Sequence, residues 1–511
     1  MGESRRLAKV GSFSAECGPD PGVPAALWNE VTWHCAADLA QFAPAYALSG
    51  RPALTSKSPQ PRGALSAGER VSVYAAFEVA AFRSIWFAVL SGNSGRFAVI
   101  LVAGWEAYRL GHQSSLWPSL VSMLLLVPSM LFGLFAGGVA DRRNRALMAA
   151  AGELVNAAGC AVGAVLVLAG QLNLVVLLLL TAVVGIGNSV QGPAWQAMIP
   201  ALVGERRLLN ASMAARIAQQ GSELTGPALG TVVLTLAGPG AAFAACSAFY
   251  LTAMVLLWGL RSAVTAPPRT ELGASVLAPI RAGMAYVRRE QPLGTLLLWV
   301  GLHCSLTMAS IGILPAVAIA NLRGNSAAYG LLLTAFGFGS VFGPMLLMGL
   351  GTRAKLVTTL IVAGILSGLP LITLGLVHVA AVDLASAAIA GGAQAVFMAA
   401  IYSANQGRTV DSMRGRVASV QLSLTTGAMG LASVGWGALV ALVAPGLVLA
   451  VPGGIFVIAC VPFAMRRRRI AAALMKPSSA ERNAPLRAPK LPTAVVDGAR
   501  GARTIHGDEP G

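Results

Sequence analysis

Charged and amide side chains stand inside long apolar runs, where their chemistry suits the holding of a solute or a proton. Arg216, Gln219, Gln220 and Glu223 recur at i, i+3, i+4 and i+7, which places all four on one helical face. Arg96 stands near the middle of another run, with Glu106 toward its end. Gln394, Met398 and Tyr402 make an i, i+4, i+8 stripe, and Glu153/Asn156 and Asn188/Gln191 are further polar pairs one turn apart. A charge at the centre of a bilayer costs several kcal/mol unless protein or water surrounds it, so the major stripe should face a cavity or a partner helix. Glu223 and Glu106 are the candidate proton carriers. Arg96 either receives an anionic substrate group or pairs with Glu106 or Glu223, and an Arg216–Glu223 structural ion pair is equally open. The smaller stripes are expected to serve helix packing. His303 and Asp383 are expected near helix ends in solvated roles.

Covalent chemistry finds little support. Cys17, Cys35, Cys160, Cys246, Cys304 and Cys460 are scattered, with no C-x-x-C and no Cys/His cluster of metal-ligand spacing. A membrane-embedded enzyme would need a catalytic carboxylate pair or a metal cluster at the membrane surface, and neither pattern occurs. The G-x-x-x-x-G-K-[ST] loop of an ATP-driven pump is missing as well. The chain reads as neither enzyme nor ATPase, with no metal and no cofactor expected beyond a proton gradient.

The elements that must position these residues are apolar segments, about twelve from Phe82 to Met465, each near the roughly 20 residues that cross a hydrocarbon core. Hydrophobic residues make up 56% without counting Gly, above the roughly 45–50% of soluble domains with Gly included. An all-α membrane protein follows. Lys and Arg alternate between loops: 141–145, 204–210, 261–291, 351–355 and 405–416 are basic. The loops around His112, Gln171, Pro239, His378 and Pro445 carry almost no basic residues, apart from Arg109 and Arg323. By the positive-inside rule both termini are cytoplasmic. The net charge of +17 lies mostly in these loops and the C-terminal tail, which points to anionic lipid headgroups as partner and not to nucleic acid. Residues 1–73 are expected to be a disordered cytoplasmic extension, 82–260 and 293–465 two six-helix bundles, 261–292 their cytoplasmic linker, and 466–511 a basic disordered tail. A weak repeat relates Asn210-Ala-Ser-Met before the fifth span to Arg416-Val-Ala-Ser-Val before the eleventh.

Between the second and third spans stands Gly137-Gly138-Val139-Ala140-Asp141-Arg142-Arg143-Asn144-Arg145. It resembles the signature loop of the major facilitator superfamily, with Asn144 where the pattern has a second Gly; Asn tolerates the left-handed backbone Gly would supply. The resemblance implies a gate in which Asp141 faces the start of the eleventh span, with Arg142, Arg145 and Arg416 in the same cluster. The alternative is a basic loop that only sets topology. The corresponding 349–355 loop has no aspartate, so gating should rest on the first half. In the fifth span, Ser222-Glu223-Leu224-Thr225-Gly226-Pro227-Ala228-Leu229-Gly230-Thr231 resembles the antiporter motif of exporters in that superfamily. Pro227 removes a backbone donor and bends the helix, while Gly226 and Gly230 make a smooth packing face; generic packing is the plainer alternative.

With Arg288-Arg289 before the seventh span and Arg414-Gly415-Arg416 before the eleventh, the pattern is similar to the branch that contains the enterobactin exporter and macrolide-efflux proteins. Many relatives carry an acidic residue where this chain has Arg96. The resemblance implies a bacterial cytoplasmic-membrane exporter of a hydrophobic or siderophore-like small molecule, monomeric and driven by proton antiport. An uptake permease of the same fold and a transport-inactive membrane protein remain the rivals.

Overall fold

A computed structural model describes residues 75–140, 144–264, 277–290, 292–347, 353–410 and 413–475, and its described residues are helical almost throughout. The expected extension over 1–73, Asp141 and Arg142 lie outside them. Helix α1 spans Ala80–Leu110, α2 Leu116–Ala140, α3 Arg145–Leu168, α4 Leu174–Val203 and α5 Leu208–Gly259. Then come α6 (Leu277–Arg289), α7 (Leu293–Leu306), α8 (Leu314–Leu322), α9 (Ser326–Leu347), α10 (Arg353–Leu376) and α11 (Ala380–Arg408). The chain continues through α12 (Arg414–Leu439), α13 (Pro445–Met465) and α14 (Arg467–Met475).

Local chemistry explains where the helices stop. At 52 residues and about 1.5 Å per residue, α5 would be far too long for one crossing. It breaks at Gly238 (φ 80, ψ 178), a backbone region in effect reserved for glycine, and Pro239 opens the next limb, where a missing N–H costs nothing. The seventh crossing is built from α7, a 3-10 stretch (Met308–Ile313) and α8. Pro315 at the start of α8 cannot continue an α-helical ladder. Thr307 Oγ1 and Ser310 Oγ instead donate to the carbonyls of His303 (2.8 Å) and Thr307 (2.7 Å). Counting the two limbs of α5 and the composite seventh span, the described helices supply twelve segments long and apolar enough for the expected crossings. Exposed leucines such as Leu168, Leu236, Leu346 and Leu442 form part of the apolar outer surface.

The crossings have an arginine-rich end, with the 204–210 and 405–416 loops, and an arginine-poor end, with Gly170 and Gly238. Packing differs between the two. At the arginine-poor end one hydrophobic core runs through both halves, joining Leu101 and Val102 of α1 and Phe243 of α5 to Val317 of α8, Tyr329 of α9 and Leu449 of α13. At the arginine-rich end the buried residues fall into two cores, one within each half: Ile85, Met198 and Leu257 in the first, Trp299, Phe397 and Phe456 in the second.

Two expectations are corrected here. The stretch from 466 onward does not begin as disordered tail: α14 forms at once because Ile470 buries against the second half's core, while Arg466 to Arg469 stay exposed. His303 and Asp383 are not solvated. Both are fully buried, and His303 stacks 4.1 Å from the Phe397 ring with Nε2 3.3 Å from Ser367 Oγ.

Candidate functional site

The polar face of α5 looks across the seam between the halves. Gln220 Nε2 donates to the carbonyl of Ser340 on α9 (3.1 Å), and the Ser340 hydroxyl sits against the Glu223 carboxyl while donating to Gly337 O (2.9 Å). The backbones come close because of glycine. A Cβ at Gly337 would fall on the Glu223 carbonyl oxygen, so only Gly lets α9 approach there. Pro227 adds to this: four residues after Glu223, it lacks the N–H that would otherwise take that carbonyl.

Arg96 of α1 completes the seam site. Its guanidinium lies 4.8 Å from the Phe97 ring centroid and interacts electrostatically with Glu223 and with Tyr250 on the second limb of α5. Of the pairings open in the sequence, none closes on Arg96 as an ion pair among the described residues; its charge bears on Glu223 at longer range. Glu106 is taken by Arg109, which grips Oε2 at 2.6 Å toward the arginine-poor end. Arg216 does not pair with Glu223 either; it hydrogen-bonds Gln219 Oε1 (3.0 Å) and lies over the Tyr402 ring of α11 at 5.6 Å, a second contact between halves. Gln394 stands apart from this group, buried in the second half beside Thr307 and Ser310 at a void of about 20 Å³, room for one water.

Gly226 and Gly230 pack against α1, where added Cβ atoms would meet the Ser94 carbonyl and Leu101. Ser94 Oγ and Thr225 Oγ1 share a hydrogen bond of 2.6 Å beside them. The backbone of α5 stays helical through Pro227, and Thr231 Oγ1 donates to its carbonyl (2.6 Å).

At the signature loop, Gly137 lies in the last turn of α2 and Asp141 and Arg142 fall outside the described residues. Asn144 departs from the expected left-handed turn. Its backbone is extended (φ −64, ψ 115), and it serves as N-cap of α3, accepting from the amides of Ala146 (3.0 Å) and Leu147 (3.2 Å). Its Nδ2 donates to the carbonyls of Arg261 (2.7 Å) and Val264 (2.8 Å), tying the loop to the end of the sixth span. Arg145 donates to Ala197 O of α4 (3.2 Å), while Arg416 is exposed in the first turn of α12 against Met413 Sδ (3.4 Å).

A further buried polar group lies apart from the seam. Glu153 and Asn156, expected to serve packing, join Asn188 and Gln191 in a polar cluster sealed inside the first half. The available signal was a carboxylate in mid-span.

Comparison with known proteins agrees with this fold. A family model described as transmembrane secretion effector matches residues 71–505. Macrolide efflux protein A of Streptococcus pyogenes is 22% identical over 258 residues, 50% of this chain and 64% of that protein; the chain thus spans a little under two thirds of its length. The Enterococcus faecalis protein of the same name is 22% identical over 256 residues, covering 50% and 79%. Among solved structures, a POT family transporter in complex with 5-aminolevulinic acid superposes with a TM-score of 0.61 at 11% identity, over 76% of this chain and 96% of that one. An inward-facing, unoccupied bacterial homolog of the human lysosomal transporter Spinster gives 0.52 at 14% identity, over 77% and 93%.

Proposed function

Because the chain belongs to the transmembrane secretion effector family of the major facilitator superfamily, whose members are transporters and not enzymes, we propose that it exports a hydrophobic or siderophore-like small molecule by proton antiport. Macrolides are the first class to try, given the relatives named above. The observation that carries the proposal is the polar seam: Gln220 and Glu223 of one half meet Ser340 of the other inside a span, where such groups are costly and serve solute or ion pathways. A solute there would sit between halves that rock about it, with seam contacts exchanged for solute contacts. Glu223, free of the Arg109 clasp that holds Glu106, is the seam's candidate for the coupling proton, and Arg96 for an anionic substrate group. The Asp141 loop with Gly137, Arg142, Arg145 and Arg416 is the proposed gate, and Gly226, Pro227 and Gly230 the motif that biases the cycle toward export.

We place the protein in a bacterial cytoplasmic membrane as a monomer, both termini cytoplasmic. Exposed Arg281, Arg288 and Arg289 on α6 and Arg466 to Arg469 would then meet anionic lipid headgroups. The test is uptake of a labelled macrolide into inside-out vesicles bearing the chain, with and without an imposed pH gradient. Gradient-dependent accumulation above empty vesicles is expected. Accumulation only in right-side-out vesicles would favour import.

A further inference from the structure

Glu153 occupies a setting that the seam does not use. It is 0% exposed on α3, and only neutral amides, those of Asn156 and Gln191, stand beside its carboxyl. The helices packed around it contribute no ion-pair partner among the described residues. From α1 comes Gly92, where even a methyl group would fall on Glu153 Oε1 and Gln191 Nε2. From α4 come Gln191, whose amide faces the carboxyl, and Asn188, whose Oδ1 accepts one Asn156 Nδ2 proton (3.0 Å) and leaves the second for Glu153. From the second limb of α5 comes Tyr250, also buried and with an unpartnered hydroxyl, which interacts electrostatically with Glu153 on one side and Arg96 on the other. Cys160 and Cys246 are the other titratable groups around that tyrosine. Arg96 is one turn beyond Gly92 on the same face of α1.

A residue that only fills space would not need a carboxyl group here, and neutral amides alone do not balance the charge of an ionised one. An unpaired anion withdrawn from water is costly, whereas a neutral carboxyl is tolerated. We propose that Glu153 is a proton-binding residue of the transport cycle, sealed within the first half. On uptake one O–H bond forms between a proton from one compartment and a carboxyl oxygen; on release the same bond breaks and the proton leaves to the other side, with no change of oxidation state.

The inference rests on proton-coupled export, and its test separates the two. In the first arm, the purified full chain in liposomes is titrated from acid to alkaline while the infrared band of protonated carboxyl groups is followed in water and deuterated water. E153Q should lose one titrating component that E223Q keeps, and G92A, which pushes a methyl onto the carboxyl, should shift it. In the second arm, a labelled macrolide serves as probe: E153Q should lose gradient-driven accumulation and retain exchange at equal pH. An unchanged carboxyl band in E153Q overturns the assignment, and so does a lost band with gradient-driven accumulation intact. Should E153Q not reach the membrane, an unshifted band in G92A overturns it instead. If the wild type moves no macrolide under any gradient, the export proposal fails for that class, while the infrared arm still decides whether Glu153 takes up a proton.

Discussion

Arg96 is the buried cation whose charge bears on Glu223. Replacing it by Ala leaves Glu223 without a compensating charge, so Arg96→Ala is expected to lower turnover at least about tenfold, roughly 1.4 kcal/mol of lost stabilisation. Arg96→Lys should recover part of it, and initial rates in proteoliposomes at matched protein content decide; equal rates in all three proteins would remove Arg96 from the site. Asp141→Asn is a second residue-scale test, expected to slow transport with little loss of protein from the membrane. Unchanged turnover would reduce that loop to a topogenic role. The sequence exposes such residues unevenly. The polar face of α5 and the Glu106–Arg109 spacing are legible because they are local. The enclosure of Glu153 is not, since it depends on Gly92 of α1 and on Gln191 of α4, both distant in the sequence.

Helices in this protein meet through glycines at chosen heights, and those contacts decide which arrangement of the halves is stable. Gly312 and Gly437 both lie against Ser119 of α2, and Ser433 Oγ donates to the Ser119 carbonyl (3.2 Å), so α2, α12 and the break before α8 converge on one residue at the arginine-poor end. Side chains larger than hydrogen cannot enter that junction without moving a backbone. Gly437→Val should therefore disfavour the closed junction by about 1–3 kcal/mol, the usual cost of overpacking. That corresponds to roughly 5–150-fold in the balance of conformations. A spin or fluorophore pair placed on the loops at 112 and 324 would report it as a lengthened distance; an unaltered distance distribution would mean the junction does not govern closure. Periodicity and apolar length predict the helices themselves. These cross-helix partners carry no local pattern, and a Gly-rich span looks the same in sequence whichever neighbour it serves.

The whole molecule is joined at one end and divided at the other, a single core spanning both halves where arginine is scarce and two separate cores where it is abundant. If the arginine-rich end is cytoplasmic, as proposed, this conformation is closed toward the exterior. The expected orientation can be checked by fusing, after Arg469, a reporter active only outside the cytoplasm. Silence is expected, and strong signal would overturn the orientation. The same architecture bears on how the chain is made. Between the fifth and sixth spans the reversal at Gly238 is one residue deep, with Pro239 already starting the next helix. No stretch of chain remains between them that could wait in water while its neighbour is inserted, so both spans must pass from the translocation machinery into lipid as a preformed hairpin. Gly238, remote from any solute, is thus a position where biogenesis and not turnover is at stake.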